Sequence, residues 1–420
     1  MRVLLLGSGG REHALAWGLR KSVDELWCAP GNPGLADLAT CVPADPADAD
    51  AVAQLADDVR ADLVVIGPEA PLVAGVADAV TARGRLAFGP TAAGARLEGS
   101  KAWMKEVLSS AGVPTARHGA FTAAEEAAAL AFLDTLPGLY VIKTDGLTAG
   151  KGVLVTESPV EARDAVRSYL SGEAFGDAGR TIVIEEGLTG PELSLLVLCD
   201  GTPDARPLAP AQDFKRIGAG DTGSNTGGMG AYSPVPVAGP AVIDEVMVKA
   251  VEPTLSALVA RGIEYRGVLY AGLMLTPDGP KVLEYNVRFG DPECQVVVPR
   301  LASDLATHCR EAAAGRLRSE VRFVPDACVT VVLAAEGYPS SPRTGDRIEG
   351  LADASAIDDV IVFHAGTRRE GNRILTAGGR VLDVTAIGPT VAAARARAYE
   401  AVERITWPGR QYRDDIASSP

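Results

Sequence analysis

In the run Lys281-Val-Leu-Glu-Tyr-Asn-Val-Arg-Phe289, an acid, an amide and a guanidinium recur at every second residue. An extended chain alternates its faces, so Glu284, Asn286 and Arg288 share one side while Leu283, Tyr285, Val287 and Phe289 share the other. A carboxylate and an amide oxygen so placed suit a hard divalent ion that also touches substrate phosphates, and a guanidinium beside them suits a phosphate or a carboxylate. A solvated strand face is the ordinary alternative. Against it, the run leads directly into Phe289-Gly290-Asp291-Pro292-Glu293, dense in Gly, Pro and acid, so a site is expected where the strand ends.

Three glycine-rich segments offer anion-binding backbone. Asp145-Gly-Leu-Thr-Ala-Gly150-Lys151-Gly152, with Lys143 just upstream, lies between two apolar runs, where backbone N–H groups approach phosphate oxygens and Lys adds charge. It is not a Walker loop, because only three residues separate Gly146 from Gly150 and Gly152 stands where Ser or Thr is required. Asp213-Phe-Lys215-Arg216 precedes Asp221-Thr-Gly-Ser-Asn225-Thr226-Gly227-Gly228-Met-Gly-Ala-Tyr232, which could wrap an anionic or amino-acid substrate with Asp213 receiving an amine. Gly7-Ser-Gly9-Gly10-Arg11-Glu12 follows a strand and opens a helix, an anion site suited to a sugar phosphate. Glu12 occupies a position where a dinucleotide fingerprint needs Gly, which disfavours a nicotinamide cofactor. Lys101 and Lys105 share one helical face, and Glu185-Glu186-Gly187-Leu188 with nearby Glu192 could hold an adenine amine and ribose hydroxyls. Plain glycine turns and solvated charges remain the alternative for each segment in isolation.

The elements that must position these groups alternate along the first hundred residues. VLLLG, ELWCAPG, DLVVIGPE and RLAFGP read as strands separated by helices, which argues a parallel α/β sheet. GSKAWMKEVLSSAG (99–112) reads as one helix stopped by Pro114. From 115 to 190, a Thr122/Glu125 capping box opens an Ala-rich helix, and YVIK, GVLVT and TIVIEE are short strands of a small α+β unit. LSLLVLCD, VLYAGLML and KVLEYNVRF follow as strands, the last two joined by the turn chemistry of TPDGP. Residues 326–420 read as a separate small α/β unit with no evident chemistry.

Composition narrows the classes. With 420 residues, 47% of them hydrophobic, the chain can bury several cores. A net charge of −14 argues against nucleic acid as the main partner. The six cysteines are scattered without a C-x-x-C pair, which fits a reducing cytoplasm and neither a disulfide framework nor a thiolate zinc site. No stretch approaches the roughly 18 apolar residues of a spanning helix, so no membrane partner is expected.

GSGGREHALAW, APGNPG, VIGPEAPLVAG, FGPTAAGARLEGSKAWMK, IKTDGLTAGKGV, DTGSNTGGMGAYSP, LYAGLML, LEYNVRFGDPECQ and HAGT together resemble the phosphoribosylamine–glycine ligase family of the ATP-grasp superfamily, over essentially the whole length. The resemblance implies an N-terminal parallel α/β (pre-ATP-grasp) domain at 1–100, a connector at 101–119, a mobile B lid at 120–190, an ATP-grasp core at 191–325 and a small C-terminal α/β domain at 326–420. It implies ligation of glycine to 5-phosphoribosylamine at the expense of ATP through glycyl phosphate, in a cytoplasmic monomer of purine biosynthesis. Lys105, Lys143, Gly150, Lys151 and Gly152 would hold the ATP phosphates, Glu185, Glu186 and Leu188 the adenine, and Glu192 the ribose. Glu284 and Asn286 would bind Mg²⁺ or Mn²⁺, and Arg288 would stabilise the transferring phosphoryl group. Gly9, Gly10, Arg11, Gly31, Asn32 and Glu69 would form the phosphoribosylamine pocket. Asp213, Lys215, Asn225, Thr226, Gly227 and Gly228 would lie near glycine, with Asp291 also in the substrate site. Phe214, Thr144 and Cys294 depart from common family residues, and the strand Val268 to Leu275 lacks the carboxylate that many ATP-grasp enzymes place there. Another carboxylate–amine ligase and an ATP-binding module without turnover are the competing readings.

Overall fold

The computed structural model describes residues 1–146 and 152–419. Its N-terminal sheet has five strands in the order Thr40–Cys41, Glu25–Pro30, Arg2–Gly7, Leu63–Ile66, Leu86–Phe88, all neighbours parallel. Val3 to Leu6 and Leu63 to Val65 are completely buried on consecutive residues, the pattern of strands covered on both faces. The crevice beyond the carboxyl ends of such strands is where this kind of sheet binds ligands. Gly7, Pro30 and Ile66 end their strands there.

The helix expected over 99–112 is present as Lys101–Ser110, and a further helix, Ala92–Gly99, ends just before it at Ser100. Ser100 is extended, with φ −139° and ψ 110°, and its Oγ accepts the Trp103 N–H at 3.1 Å. A serine oxygen that satisfies a free N–H starts a new helix at small cost, and Gly99 before it weakens the first. The second helix thereby turns Lys105 inward.

An antiparallel sheet in the order His118–Thr122, Thr181–Glu186, Tyr140–Thr144, Val153–Thr156 forms a unit of its own. The Thr122/Glu125 capping box is present, with Thr122 N–H on Glu125 Oε2 at 2.9 Å, and leads into the helix Glu126–Leu133. That helix and Pro159–Leu170 cover the sheet, closing a separate core of Leu133, Ile142, Val166, Ile182 and Ile184.

The next sheet, Arg206–Pro207, Glu192–Asp200, Arg266–Thr276, Gly279–Asn286, is antiparallel throughout. Its last pair is irregular: Gly272 faces Glu284, but Leu273 faces Val282, so Leu283 is an extra residue. Such a bulge re-aims side chains at a strand end. Val282 and Tyr285 are buried, while Glu284 and Asn286 look outward into a partly open cleft.

The C-terminal segment is not separate. Gly230–Ser233 pairs with Ala327–Ala334, so a five-stranded sheet runs Gln212–Asp213, Gly230–Ser233, Ala327–Ala334, Arg380–Gly388, Val360–His364 across the expected boundary. One apolar cluster extends from Leu4 through Leu195 and Val329 to Ala398. Periodicity within each strand could not show this, because the pairing joins stretches nearly a hundred residues apart. Gly230 lies where a Cβ would come within 2.6 Å of Thr330 O and 2.8 Å of Ile416. Gly230→Ala should therefore destabilise the protein by about 1–3 kcal/mol. Denaturant unfolding checks it, and an unchanged midpoint would show that the shared sheet accommodates the methyl.

Candidate active site

The bulge at Leu283 frees its carbonyl from the ladder, and Lys143 Nζ donates to it at 3.2 Å. The same ammonium lies 2.9 Å from Glu185 Oε1. Lys105 Nζ holds Glu185 Oε2 at 2.8 Å and Thr115 Oγ1 at 2.7 Å. Two lysines thus share one carboxylate that is 1% exposed, and the trio keeps a formal charge of +1. Burial pulls the Lys105 ammonium down to about 8, with Glu185 opposing and Lys143 reinforcing the fall. Glu186 instead accepts the Arg117 backbone N–H at 3.0 Å, and Leu188 is half-buried in the turn that follows. Gly150 and Lys151 lie outside the described residues, and Gly152 O accepts the Thr144 N–H at 2.9 Å.

Glu284 faces this trio. Burial raises its carboxyl, but Lys215, Lys143, Lys101 and Arg288 together bring it below the ordinary value. No hydrogen bond or ion pair among the described residues engages it. Asn286 Oδ1 is touched by Arg288 Nη2 at 3.3 Å. Lys215 is tied to Glu192 at 2.6 Å. Burial pushes the Asp213 carboxyl up to about 8; Lys215 opposes the rise, and Glu293, Glu192 and Glu284 add to it.

Arg288 joins the two halves of the site. Its Nη2 meets Glu98 Oε1 at 3.0 Å, its Nη1 the Phe289 carbonyl at 3.2 Å, and its Nε lies 3.4 Å from Glu69 without an aligned hydrogen bond. Glu69 is also 4.0 Å from Arg11, whose Nε pairs with Glu12 at 2.5 Å and whose Nη1 reaches Phe289 O at 3.3 Å. Gly9 N–H is bound by Glu12 Oε2 at 2.6 Å. Gly31 follows the neighbouring strand at φ +78°, with its N–H on Gly7 O at 3.1 Å.

Asn32 is already committed. Its amide donates to Ser8 O and His364 O, each at 2.8 Å, and its oxygen accepts Leu35 N–H at 2.9 Å. Its place in the pocket is to hold the 31–35 turn against the C-terminal segment. In the second glycine loop, Thr226 N–H and Oγ1 both reach Lys215 O, at 2.7 and 2.9 Å, and Gly228 N–H returns to Thr226 Oγ1 at 3.0 Å. Asn225 is half-buried on the strand Thr222–Asn225. Asp291 accepts from Gln295 Nε2 at 2.8 Å and pairs with Arg380 at 3.2 Å.

Sequence reasoning missed Glu98, Glu12, Gln295 and Arg380 as parts of the site. Glu98 stands inside a motif that was noticed, but its partner is 190 residues away. Glu12 had one legible sign, an acid at the third helical position able to bind back to Gly9 N–H.

A sheet carrying a paired set of lysines, beside a strand of metal-type oxygens and a parallel-sheet crevice, is the architecture of an ATP-grasp ligase. Residues 1–98, 99–294 and 328–419 match the family models described as the N domain, the ATP-grasp (A) domain and the C domain of phosphoribosylglycinamide synthetase. A phosphoribosylamine–glycine ligase of Brucella melitensis is 49% identical over 419 residues, 99% of this chain and 97% of that protein. Its namesake from Streptomyces coelicolor is 50% identical, covering 100% of this chain and 99% of the relative. The crystal structure of phosphoribosylamine–glycine ligase from Thermotoga maritima matches with a TM-score of 0.86 at 34% identity, covering 99% of this chain and all of that one. The chain belongs to the phosphoribosylamine–glycine ligase family.

Removing one member of a buried charge set leaves the others uncompensated. Glu185→Gln should therefore cost about 3–5 kcal/mol of stability, as two buried ammonium groups lose their only shared anion. Urea unfolding at neutral pH measures it; a loss under about 1 kcal/mol would mean that both lysines already have sufficient access to water.

Proposed function

We propose that this chain joins glycine to 5-phosphoribosylamine, consuming ATP and giving glycinamide ribonucleotide, ADP and phosphate. The observation that carries the reading is the convergence of Glu284, Asn286 and Arg288 with Lys101, Lys143 and Lys215, next to the crevice of the parallel sheet. A carboxylate oxygen is a poor leaving group, so glycine is first phosphorylated and the amine then displaces phosphate from glycyl phosphate, losing a proton as the C–N bond forms. The site needs no covalent nucleophile; it must orient the groups, neutralise charge and exclude water.

Glu284 and Asn286 fit a divalent ion: one ionised, uncommitted carboxylate and one amide oxygen on the same strand face. No cluster of three His, Cys, Asp or Glu suited to a metal occurs among the described residues, which leaves further positions to nucleotide oxygens and water. Mg²⁺ or Mn²⁺ held there would neutralise charge on the phosphates. Lys105 and Lys143 attract the phosphates through the surplus charge they keep beside Glu185. Glu185, Glu186 and Leu188 border the adenine, and Glu192 the ribose. The unit at 120–190, including Gly150, Lys151 and Gly152, acts as a lid between the connector at 101–119 and the core at 191–325, with the closing domain at 326–420. Arg288, held in place by Glu98 and Glu69, stabilises the transferring phosphoryl group or the glycine carboxylate by its charge.

Gly9, Gly10, Arg11, Gly31 and Glu69 face the sugar phosphate at the crevice, while Asn32 supports them. Asp213, with Lys215 and the 225–228 loop, receives the glycine ammonium. A cation there would offset the burial and neighbouring acids that hold the Asp213 carboxyl up, and favour the anion. The same reading makes the chain a cytoplasmic monomer of 43.4 kDa; no described helix is long and apolar enough to cross a membrane.

The test is ADP release with ATP, Mg²⁺, glycine and freshly generated phosphoribosylamine, omitting each in turn. ADP should require both substrates and glycinamide ribonucleotide should accumulate; ADP formed with another carboxylate would refute the glycine assignment. Glu284→Ala should abolish metal-dependent turnover and weaken Mn²⁺ binding in the presence of ADP, read from water-proton relaxation. Unchanged Mn²⁺ binding would remove Glu284 from the metal role.

A further inference from the structure

The C-terminal segment places one side chain where two substrate-site loops meet. Arg380 Nη1 donates to Gly227 O at 2.6 Å and to Asp291 O at 2.8 Å, and its Nη2 lies 3.2 Å from Asp291 Oδ2. Tyr338, from the same segment, accepts the Gly227 N–H at 3.0 Å. Both polar ends of the Gly227 residue are therefore held by the C-terminal domain. Space is equally constrained: a Cβ on Gly227 would come within 2.9 Å of the Arg380 guanidinium carbon.

The register explains how one strand reaches so far. Arg380 faces Ala334 while Leu382 faces Leu333, so the alternation breaks and Arg380 and Asp383, three residues apart, both turn to the 291–295 segment. Gln295 Nε2 bridges Asp291 at 2.8 Å and Asp383 at 3.0 Å. Asp291 in turn stands near the N-terminal crevice, since a Cβ on Gly9 would lie 3.5 Å from its Oδ2.

We propose that Arg380 is a positioning residue of the ligase reaction, fixing the glycine loop at 225–228 against the Asp291 turn so that the glycine carboxylate and the phosphoribosylamine amine meet in line. The inference rests on the function proposed above. A guanidinium is suited to it, since its planar fork serves two carbonyls and a carboxylate at once, whereas an ammonium cannot match that geometry. ATP, bound on the lysine side, gains nothing from this joint.

The experiment compares wild type with Arg380→Ala and Arg380→Lys by the same ADP-release assay. Wild type must first show ADP release that depends on both substrates; its absence would refute the ligase reading itself. In active enzyme, Arg380→Ala should lower kcat/KM for glycine and for phosphoribosylamine by about 100-fold, with KM for ATP within about twofold, while loss of the Asp291 partner lowers the melting temperature. Guanidinium ion at millimolar concentration should restore part of the loss in Arg380→Ala, and Arg380→Lys should be intermediate. Unchanged kcat/KM for both substrates, or equal losses for all three without rescue, would overturn the proposal. Should Arg380→Ala fail to fold, Tyr338→Phe tests the same joint, because it deletes only the acceptor of Gly227 N–H. It should raise KM for glycine and spare that for ATP, and no change would count against the proposal.

Discussion

A guanidinium that cannot give up its proton is buried between two carboxylates at the centre of the protein, and the surrounding elements have to satisfy it. Arg288 lies 3.0 Å from Glu98 and 3.4 Å from Glu69; burial alone would lower its pKa, but these acids outweigh it and hold the pKa above its ordinary value. Left without partners, such a charge would be costly; paired, it still gives little net stability, so its value lies in fixing geometry. Glu98 belongs to the helix before Ser100 and also binds Val287 N–H at 2.8 Å, which locks that helix to the metal-type strand. Glu69 begins a helix at the parallel-sheet crevice and answers to Arg11 as well. One residue thus fixes the helix before Ser100 and the strand Gly279–Asn286 against the parallel-sheet crevice.

The lysines solve a second electrostatic problem. The chain carries a net charge of −14 yet must collect phosphates. Lys101, Lys105, Lys143 and Lys215 stand in or beside the cleft, where a partly desolvated cation acts more strongly than it would in open water. Glu185 keeps two of them tolerable before any phosphate arrives. With a single lysine the pair would be neutral, and with no acid the two ammonium groups would repel each other.

What could be read from the sequence was local. The alternation of Glu284, Asn286 and Arg288 and the apolar counter-face of Tyr285, Val287 and Phe289 needed only the period of an extended chain. The capping box at Thr122 needed only a spacing of three. The bulge at Leu283 was not legible, because an extra residue exists only relative to the partner strand. Nor was the preceding helix Ala92–Gly99, which ends at Ser100, the cap of the expected one. Glu98, Gln295 and Arg380 are ordinary surface-type residues until chain reversals bring partners 190, 88 and 89 residues away into contact.

The glycine loop at 222–230 and the strands that flank the one at 145–152 are held differently. The loop at 222–230 runs into Gly230–Ser233, a strand inside the sheet shared with the C-terminal segment, and Tyr338 and Arg380 grip it at Gly227. Arg413, 1% exposed, secures its start by pairing with Asp221 at 2.7 Å and donating to Arg216 O at 3.2 Å. A loop fastened at its start, middle and end can shape a pocket for a ligand as small as an amino acid, where a misplaced donor would be decisive. The strands Tyr140–Thr144 and Val153–Thr156 belong instead to a sheet whose apolar core is closed on itself. Its polar ties to the rest include Lys105 to Glu185 and Lys101 to Gly146 O, each at 2.8 Å, Lys143 to Leu283 O, and Asp145, which accepts Ser100 Oγ–H and Ala102 N–H at 3.1 Å. This unit has its own apolar core yet is tied to the rest of the protein through buried charge, so drawing it away from the cleft has to break the Lys105–Glu185 pair.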